Sequence, residues 1–289
     1  MKERNEILQI NTVEQAHNLY DDGNIRQGER TVKSLLVGQE GAPDNYKFAY
    51  SYGEGDSEWA TPRHRHLFDQ IRHPVEGDYS IGKNRVLPAG WVGYFPESAY
   101  YGPQVMSPNL RMCVLQFGGA TGRGFYSTTQ RKHAIAQLKA KGTLKNGIFQ
   151  WVDEQGRTHN QDAGEALWEA ACNEPADYPP SRYSDLVLIN PATFEWREDQ
   201  GAPGVARKVL GSFTERDIRI QLLRVESGAT LEFGTQPSSE VLFLKEGRLE
   251  ADGTVHERLT GFGSAAADQP VQLRAHERAE LLYIKLPTF

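Results

Sequence analysis

The chain has 289 residues, which is enough for about two domains of roughly 150 residues each. Its 38 acidic and 32 basic residues give a formal net charge of −6, so the basic surplus expected of a dedicated nucleic-acid-binding protein is missing. No apolar run approaches the ~20 residues that a membrane-spanning helix needs, and 28 glycines with 15 prolines favour a turn-rich β protein.

The first third of the chain is typical of a β-sandwich or β-barrel. The stretch Val13–Tyr20 favours a short helix, and from Thr31 onwards short apolar or alternating runs are separated by turns. Strands are predicted at Thr31–Val37, Tyr46–Tyr52, His64–Val75, Arg85–Phe95 and Leu110–Phe117.

The middle of the chain favours helices. Ser127 and Gln130 form a predicted capping box for a helix that continues to Lys141. A hairpin strand follows at Ile148–Val152, and a second helix at Glu165–Cys172 is capped by Asp162 and ends at Asn173. The segment Tyr178-Pro179-Pro180-Ser181 has the composition of a linker.

The β pattern returns in the last third. Strands are predicted at Leu186–Ile189, Asp217–Val225, Thr230–Phe233, Val241–Leu244, Arg248–Ala251, Val271–Arg274 and Glu280–Leu286. A short internal repeat aligns Gln70–Gly77 with Glu240–Gly247. We therefore predict an N-terminal β domain over 1–126, a helical connector over 127–183 and a C-terminal β domain over 184–289.

The segment Thr61–Gln70 carries the strongest chemical signal. His64 and His66 alternate along a predicted strand, so both imidazoles project from one face and can grip a transition metal together. Gln70 can reach the same face if the chain turns after His66. The alternative is a solvent-exposed histidine pair beside Arg63 and Arg65.

These residues resemble the cupin superfamily. His64-x-His66, three residues, Gln70, six residues and Gly77 follow the spacing of the first cupin motif. In the second motif, Gly90, five residues, Pro96-Glu97-Ser98, two residues and Tyr101 follow the family spacing. The resemblance covers residues 30 to 120 well and extends over 184–289 through the internal repeat. It implies an all-β bicupin, with two double-stranded β-helix (jelly-roll) domains and a small helical connector.

The sequence departs from both motifs. Gln70 replaces the glutamate ligand and Tyr101 replaces the fourth, histidine ligand, while Glu58 and Ser98 replace motif glycines. The resemblance implies His64, His66, Gln70 and Tyr101 as the metal ligands. Gln70 could instead hydrogen-bond a ligand, and Tyr101 could face the substrate or act as an acid or base.

Other residues near these motifs are expected to shape the substrate pocket. Alternation from Gln70 points Arg72 into the barrel, where it would bind a substrate anion or pair with an internal carboxylate. The same alternation sends His73 to the opposite face. The region is also rich in aromatic residues, from which a pocket for a small, partly apolar molecule could be built: Phe48, Tyr50, Tyr52, Tyr94, Phe95, Tyr100 and Tyr101.

The second β domain lacks the histidine pair. By the offset of the repeat, Gly234 and Gln236 stand where His64 and His66 stand, and Glu240 stands for Gln70. We expect this copy to have lost its metal and to serve as a scaffold or a dimerisation module.

The resemblance implies a divalent metal as the cofactor, with Fe(II) favoured and Zn, Mn, Ni or Cu as alternatives. The predicted activity is a dioxygenase acting on a small organic acid or aromatic compound, with Tyr101 and Arg72 as catalytic residues. A non-redox lyase or isomerase and a non-enzymatic binder are the alternatives. Because cupins commonly pair through their sheets, the resemblance also implies a homodimer. The charged N-terminus and the widely separated Cys113 and Cys172 favour a cytoplasmic protein without a secretory signal.

Overall fold

The computed structural model describes residues 8–11, 31–53, 59–106, 109–123, 125–265 and 270–289. For residues 8–11 only the backbone is described. The helix predicted over Val13–Tyr20 and the motif position Glu58 lie outside these ranges. Neither of the two described α-helices is long and apolar enough to cross a membrane.

Strands dominate the first 118 residues. They are β1 Leu8–Asn11, β2 Thr31–Val37, β3 Tyr46–Tyr52, β4 Trp59–Thr61, β5 Phe68–Glu76, β6 Tyr79–Gly82, β7 Arg85–Leu87, β8 Val92–Phe95, β9 Gln104–Met106 and β10 Arg111–Gly118. The predictions for β2 and β3 are confirmed. The predicted strand His64–Val75 begins only at Phe68, and Arg85–Phe95 is two strands because a turn interrupts it before β8.

The connector is helical, as predicted, but it also contains a small sheet. Its elements are α1 Thr128–Lys141, β11 Gly142–Lys145, β12 Ile148–Val152, β13 Thr158–Asp162 and α2 Ala163–Cys172. Ser127 caps α1 through a complete capping box with Gln130, and Asp162 caps α2, which confirms both cap predictions. Strands β11 and β13 escape sequence prediction because they are short and polar on one face.

The last hundred residues form a second set of strands. They are β14 Val187–Ile189, β15 Arg197–Glu198, β16 Val205–Phe213, β17 Ile218–Val225, β18 Thr230–Phe233, β19 Glu240–Glu246, β20 Leu249–Ala251, β21 Thr254–His256, β22 Thr260–Ser264, β23 Val271–Ala275 and β24 Ala279–Lys285, with a 3₁₀ turn at Pro191–Thr193. Strand β16 was not predicted, because a bulge between Val209 and Gly211 breaks its alternation.

The chain forms two compact units. The N-terminal unit contains the described residues of 17–33 and 39–188, and the C-terminal unit contains those of 1–16, 34–38 and 189–289. The connector therefore belongs to the N-terminal unit. Strand β1 is the first of the seven strands in the C-terminal sheet, β1-β22-β19-β24-β17-β16-β15.

Each unit buries its core between a large sheet and a set of shorter strands. In the N-terminal unit, the sheet strands β8-β5-β10-β3 face the pairs β4-β9 and β6-β7. Tyr79, Phe95 and Met112 are buried between them. In the C-terminal unit, the seven-stranded sheet faces β18-β23-β20-β21, and Phe233, Phe262 and Leu281 fill the space between. This is the all-β jelly-roll arrangement that the sequence predicts.

The internal repeat matches equivalent positions of the two units. Gly77 follows β5 with φ +70°, and Gly247 follows β19 with φ +85°. Each glycine opens the tight turn into the next strand, where its left-handed backbone is disfavoured for other residues. A Cβ at Gly247 would lie 2.4 Å from the Arg278 carbonyl oxygen.

We expect Gly247→Ala to destabilise the protein by more than about 2 kcal/mol in chemical denaturation, because backbone strain and a backbone clash add. Gly228→Ala is the matched control. Gly228 has φ +80° but nothing within 4 Å of an added Cβ, so its cost should stay near ~1 kcal/mol. Equal losses in the two variants would contradict the clash.

Candidate functional site

A backbone bridge brings the two motifs together. His64 and Tyr101 exchange two hydrogen bonds, each amide donating 3.0 Å to the other residue's carbonyl. The Ser98 amide also donates to the His66 carbonyl, at 2.8 Å. Ser98 has φ +69°, so it adopts the left-handed conformation that glycine supplies in the family motif. The loop geometry is therefore kept although the glycine is not.

The histidine rings lie close together, but not through the predicted strand alternation, because both residues precede β5 and only His64 forms a backbone bridge. The centroids of His64 and His66 are 5.0 Å apart with planes at 77°. Two imidazoles that share an ion at about 2.1 Å from each nitrogen have centroids about 5 Å apart. Nδ1 of His64 lies 2.8 Å from the Pro62 carbonyl and must donate to it, which leaves the ring's lone pair on Nε2. This is the tautomer that a metal-binding histidine needs.

The Tyr101 hydroxyl joins the site together. It lies 3.0 Å from His66 Nε2, accepts from Gln70 Nε2 at 3.0 Å and accepts from Arg72 Nη2 at 3.3 Å. Because Gln70 and Arg72 are both donors, the hydroxyl proton is left to point at His66. Tyr101, Gln70 and Arg72 are all buried, with exposed fractions of 4%, 1% and 6%.

Gln70 is held in one amide orientation. Arg72 Nη2 donates to Gln70 Oε1 at 2.6 Å, and the Gln116 amide donates to the same oxygen at 3.4 Å. A flipped amide would place two donors against each other, because a guanidinium has no acceptor. The structure thus directs the amide oxygen of Gln70 to Arg72 and its N–H group to Tyr101.

Arg72 points into the barrel, as alternation from Gln70 predicts. Its guanidinium carbon lies 4.8 Å from the Tyr79 ring centroid and 5.4 Å from that of Phe95. Nε and Nη1 are buried and have no hydrogen-bond partner among the described residues. No described carboxylate pairs with Arg72, so the internal ion pair considered from the sequence is not seen.

Two histidines and one tyrosine make up the candidate donor set for a divalent ion. Among the described residues, no cluster of three or more histidine, cysteine, aspartate or glutamate side chains is present. His66 Nε2 and the Tyr101 oxygen are nevertheless spaced as neighbouring ligands are, since ligand atoms about 2.1 Å from an ion at right angles lie ~3 Å apart. If the Tyr101 hydroxyl lost its proton, its oxygen would serve as the third ligand beside the two histidines.

Phe68 supports the His66 ring from behind. The two rings stack with centroids 4.5 Å apart and planes at 24°. Phe68 packs edge-on against Phe125 at 4.9 Å, and both belong to a cluster with Leu67 and Trp168 of helix α2. The helical connector therefore helps to fix the orientation of His66.

The aromatic residues expected near the site separate into two groups. Phe95 and Tyr101 lie inside the barrel, with centroids 5.0 Å apart. Cross-strand register places Phe48 and Tyr50 on the other face of the sheet, because Ala49 pairs with interior Val114. Tyr94 also faces outward, towards Asp69, and Tyr100 is 45% exposed. The pocket is consequently less aromatic and more polar than the composition suggests.

His73 lies on the face opposite Gln70, as predicted. It is buried, and its Nδ1 lies 2.8 Å from the Trp91 carbonyl.

In the C-terminal unit, Glu240 is buried and accepts from the Tyr283 hydroxyl at 2.6 Å and from the Gln236 amide at 3.2 Å. Its carboxylate is thus engaged with neutral donors, and Gly234 and Gln236 supply no imidazole there.

A buried polar network on the outer face of the sheet was missed from the sequence. Asp69 is fully buried and accepts from the Tyr94 hydroxyl at 2.8 Å and the Glu97 amide at 2.7 Å. The Glu97 carboxylate accepts from Arg182 at 2.6 Å and from Thr121. Lone carboxylates beside the motif carry no sequence signal that separates them from surface residues.

Neither a protein-family profile nor a curated protein sequence matches the chain. Solved structures do. A candidate dioxygenase from Nostoc punctiforme has a TM-score of 0.61 at 9% identity, over 99% of this chain and 83% of that one. Oxalate decarboxylase from Bacillus subtilis has a TM-score of 0.53 at 12% identity, over 96% and 75%.

A third similar structure is Streptomyces albus HEPD with 2-hydroxyethylphosphonate and Fe(II) bound. Its TM-score is 0.51 at 12% identity, over 97% of this chain and 76% of that one. These neighbours are cupins. The chain has the bicupin fold. At such low identity the likeness establishes the fold and leaves the chemistry to the site itself.

The Asp69 carboxyl should make stability depend on pH. Burial raises the pKa of Asp69 to about 7, above its unfolded value near ~4. The folded state therefore binds the extra proton, and its stabilising contribution is complete below pH ~4 and lost as the pH rises towards 7. We expect wild type to lose up to about 1.4 kcal/mol per pH unit across this window relative to Asp69→Asn. Denaturation of both proteins at pH 5 and 8 measures this, and parallel curves would contradict it.

Proposed function

We propose that this protein is a metal-dependent cupin enzyme that acts on a small organic compound, with an oxygenase reaction as the first candidate. One observation carries the proposal: inside the N-terminal barrel the His64 and His66 rings lie 5.0 Å apart, and the Tyr101 hydroxyl lies 3.0 Å from His66 Nε2. The structural neighbours support it, because they include a candidate dioxygenase and an Fe(II)-bound protein with the same fold.

In this proposal His64 and His66 hold the ion through Nε2, and Tyr101 supplies the third ligand. Gln70 hydrogen-bonds the Tyr101 oxygen instead of binding the ion, because its own amide oxygen is engaged by Arg72. When bound, a divalent ion such as Fe(II) would supply a Lewis acid and, with oxygen, redox chemistry. Zn, Mn, Ni and Cu remain alternatives.

Other side chains stabilise the Tyr101 oxygen, hold the His66 ring and orient the substrate. Gln70 and Arg72 donate to the Tyr101 oxygen and stabilise it when its proton is lost. Phe68 holds the His66 ring in place, and Tyr79 and Phe95 keep water from the guanidinium of Arg72. Arg72 orients the substrate, which limits the poses in which the reacting carbon can approach.

A second candidate is a non-redox lyase or isomerase. The specific observation is the Tyr101 hydroxyl, which directs its proton to His66 and accepts from two donors. A hydroxyl in this setting can give a proton to a substrate and take it back. Oxygen uptake during turnover with added Fe(II) separates the two candidates, since only the oxygenase consumes O₂. The cytoplasmic location and the homodimer stay predictions.

We expect His64→Ala and His66→Ala each to lower the bound divalent metal well below the wild-type stoichiometry, because one imidazole cannot replace two ligands. Elemental analysis of purified protein measures this. His133→Ala on helix α1 is the control, since its side chain is exposed. Unchanged metal content in both site variants would overturn the metal proposal and favour a non-enzymatic binder.

Tyr101→Phe removes only the hydroxyl and tests its role. If the Tyr101 oxygen binds the ion, the variant should hold metal more weakly and release no proton on metal binding. If Tyr101 transfers a proton instead, metal content should stay and turnover should fall about 10²–10⁴-fold. Tyr100→Phe, at the exposed neighbouring position, is the control. Wild-type metal binding and turnover in Tyr101→Phe would exclude both roles.

A further inference from the structure

A small polar cavity lies beside Arg72, inside the N-terminal barrel. It has a volume of about 30 Å³ and is lined by residues of β2, β3, β5 and β10, namely Val32, Lys47, Ala49, Ser51, Arg72, Val114 and Gln116. The space exists because Arg72 pairs across the sheet with Val114, which pairs in turn with Ala49. Both neighbours have short side chains and line the cavity together with Arg72.

The residues that line the cavity include two positively charged side chains. Two of its seven lining residues, Arg72 and Lys47, are cations, and none is an aspartate or a glutamate. Gln116 and Ser51 add polar groups to the wall. An ion held by two neutral imidazoles would increase the positive charge further. An anion is the ligand that such a lining favours.

Arg72 identifies where the anion would bind. The side chain is more than nine-tenths buried, yet its Nε and Nη1 atoms find no partner among the described residues. Leaving buried donors of a charged group unpaired is costly. The third nitrogen, Nη2, is already bonded to Gln70 and Tyr101. Arg72 therefore has one nitrogen committed to the catalytic side chains and two available to a ligand.

We propose that the cavity binds the carboxylate group of the substrate, so that the substrate is an organic acid and not a neutral aromatic compound. This inference rests on the proposed function for its catalytic meaning. A volume of 30 Å³ accommodates a carboxylate group, since one water needs about 10–15 Å³ on the same measure, but it excludes an aromatic ring. Arg72 would donate to the acid through Nε and Nη1, while its Nη2 contacts the Tyr101 hydroxyl and so connects the cavity to the candidate metal ligands.

Acetate and acetamide test this directly, because they share a shape and differ in charge. The full-length protein is titrated with each at constant ionic strength, by calorimetry and by thermal melting, with chelator and again with added divalent ion. We expect acetate to bind saturably and raise the melting temperature, and acetamide to do neither. Equal behaviour of the two probes would overturn the inference.

The variants locate the binding site. Arg72→Gln and Lys47→Gln should each weaken acetate binding at least ~10-fold, which is about 1.4 kcal/mol. Arg85→Gln is the matched control, because Arg85 is exposed and pairs with Asp185. Lys47 is only half-buried, so its variant keeps the test valid if Arg72→Gln fails to fold. Wild-type affinity for acetate in Lys47→Gln and in any folded Arg72→Gln would refute the site.

The experiment also separates this inference from the proposed function. Acetate binding in the presence of chelator does not require a metal, so it should persist in His64→Ala. If the histidine variants keep their metal content while Arg72→Gln loses acetate, the metal proposal fails and the anion site stands. If metal is lost from the histidine variants but acetate never binds, the anion site fails alone.

Discussion

The site depends on one hydroxyl group that has a single proton and three polar neighbours. Tyr101 reaches this position because its backbone pairs with His64. Its oxygen accepts hydrogen bonds from Gln70 and Arg72 and lies within hydrogen-bond distance of His66 Nε2. Because the hydrogen bonds around the Tyr101 oxygen are buried, the orientation of one group constrains the others. Rotating any of them would leave a buried donor without an acceptor.

The departures from the cupin motifs are consistent with each other when they are considered as a set. Gln70 in place of glutamate removes a negative charge, and an arginine two residues later adds a positive one. Tyr101 in place of histidine provides an oxygen that both can donate to. A carboxylate at position 70 would instead form an ion pair with Arg72 and neutralise it. With glutamine at position 70, Arg72 forms a hydrogen bond to a neutral group there, and its Nε and Nη1 have no partner among the described residues.

Alternation and motif spacing were sufficient to predict much of the fold and the side of the strand on which the site lies. Gln70 and Arg72 share a face because they are two positions apart in β5, whereas His64 and His66 precede the strand and are placed by the backbone bridge of His64 to Tyr101. The helix caps at Ser127 and Asp162 are local signals and could be located accurately. Strand β16 could not, because its bulge is imposed by pairing with β17.

Register across the sheet is the information that the sequence lacks. In the sequence Lys47 lies between Tyr46 and Phe48, and nothing in that pattern marks it as a site residue. In the structure its side chain faces the interior beside Gln116. The partners of Asp69 come from Tyr94 and Glu97, which are distant in sequence. Only the pairing of β3, β5, β8 and β10 brings these residues together.

Because His66 stacks on Phe68, the connector that follows the first jelly roll contributes to the packing around the candidate site. The ring of a candidate ligand rests on a side chain whose other neighbours, Phe125 and Trp168, include a residue of helix α2. A barrel excised at residue 126 would expose this aromatic cluster to water. A fragment that keeps this support for the His66 ring is therefore longer than one jelly roll, and the helices belong within it.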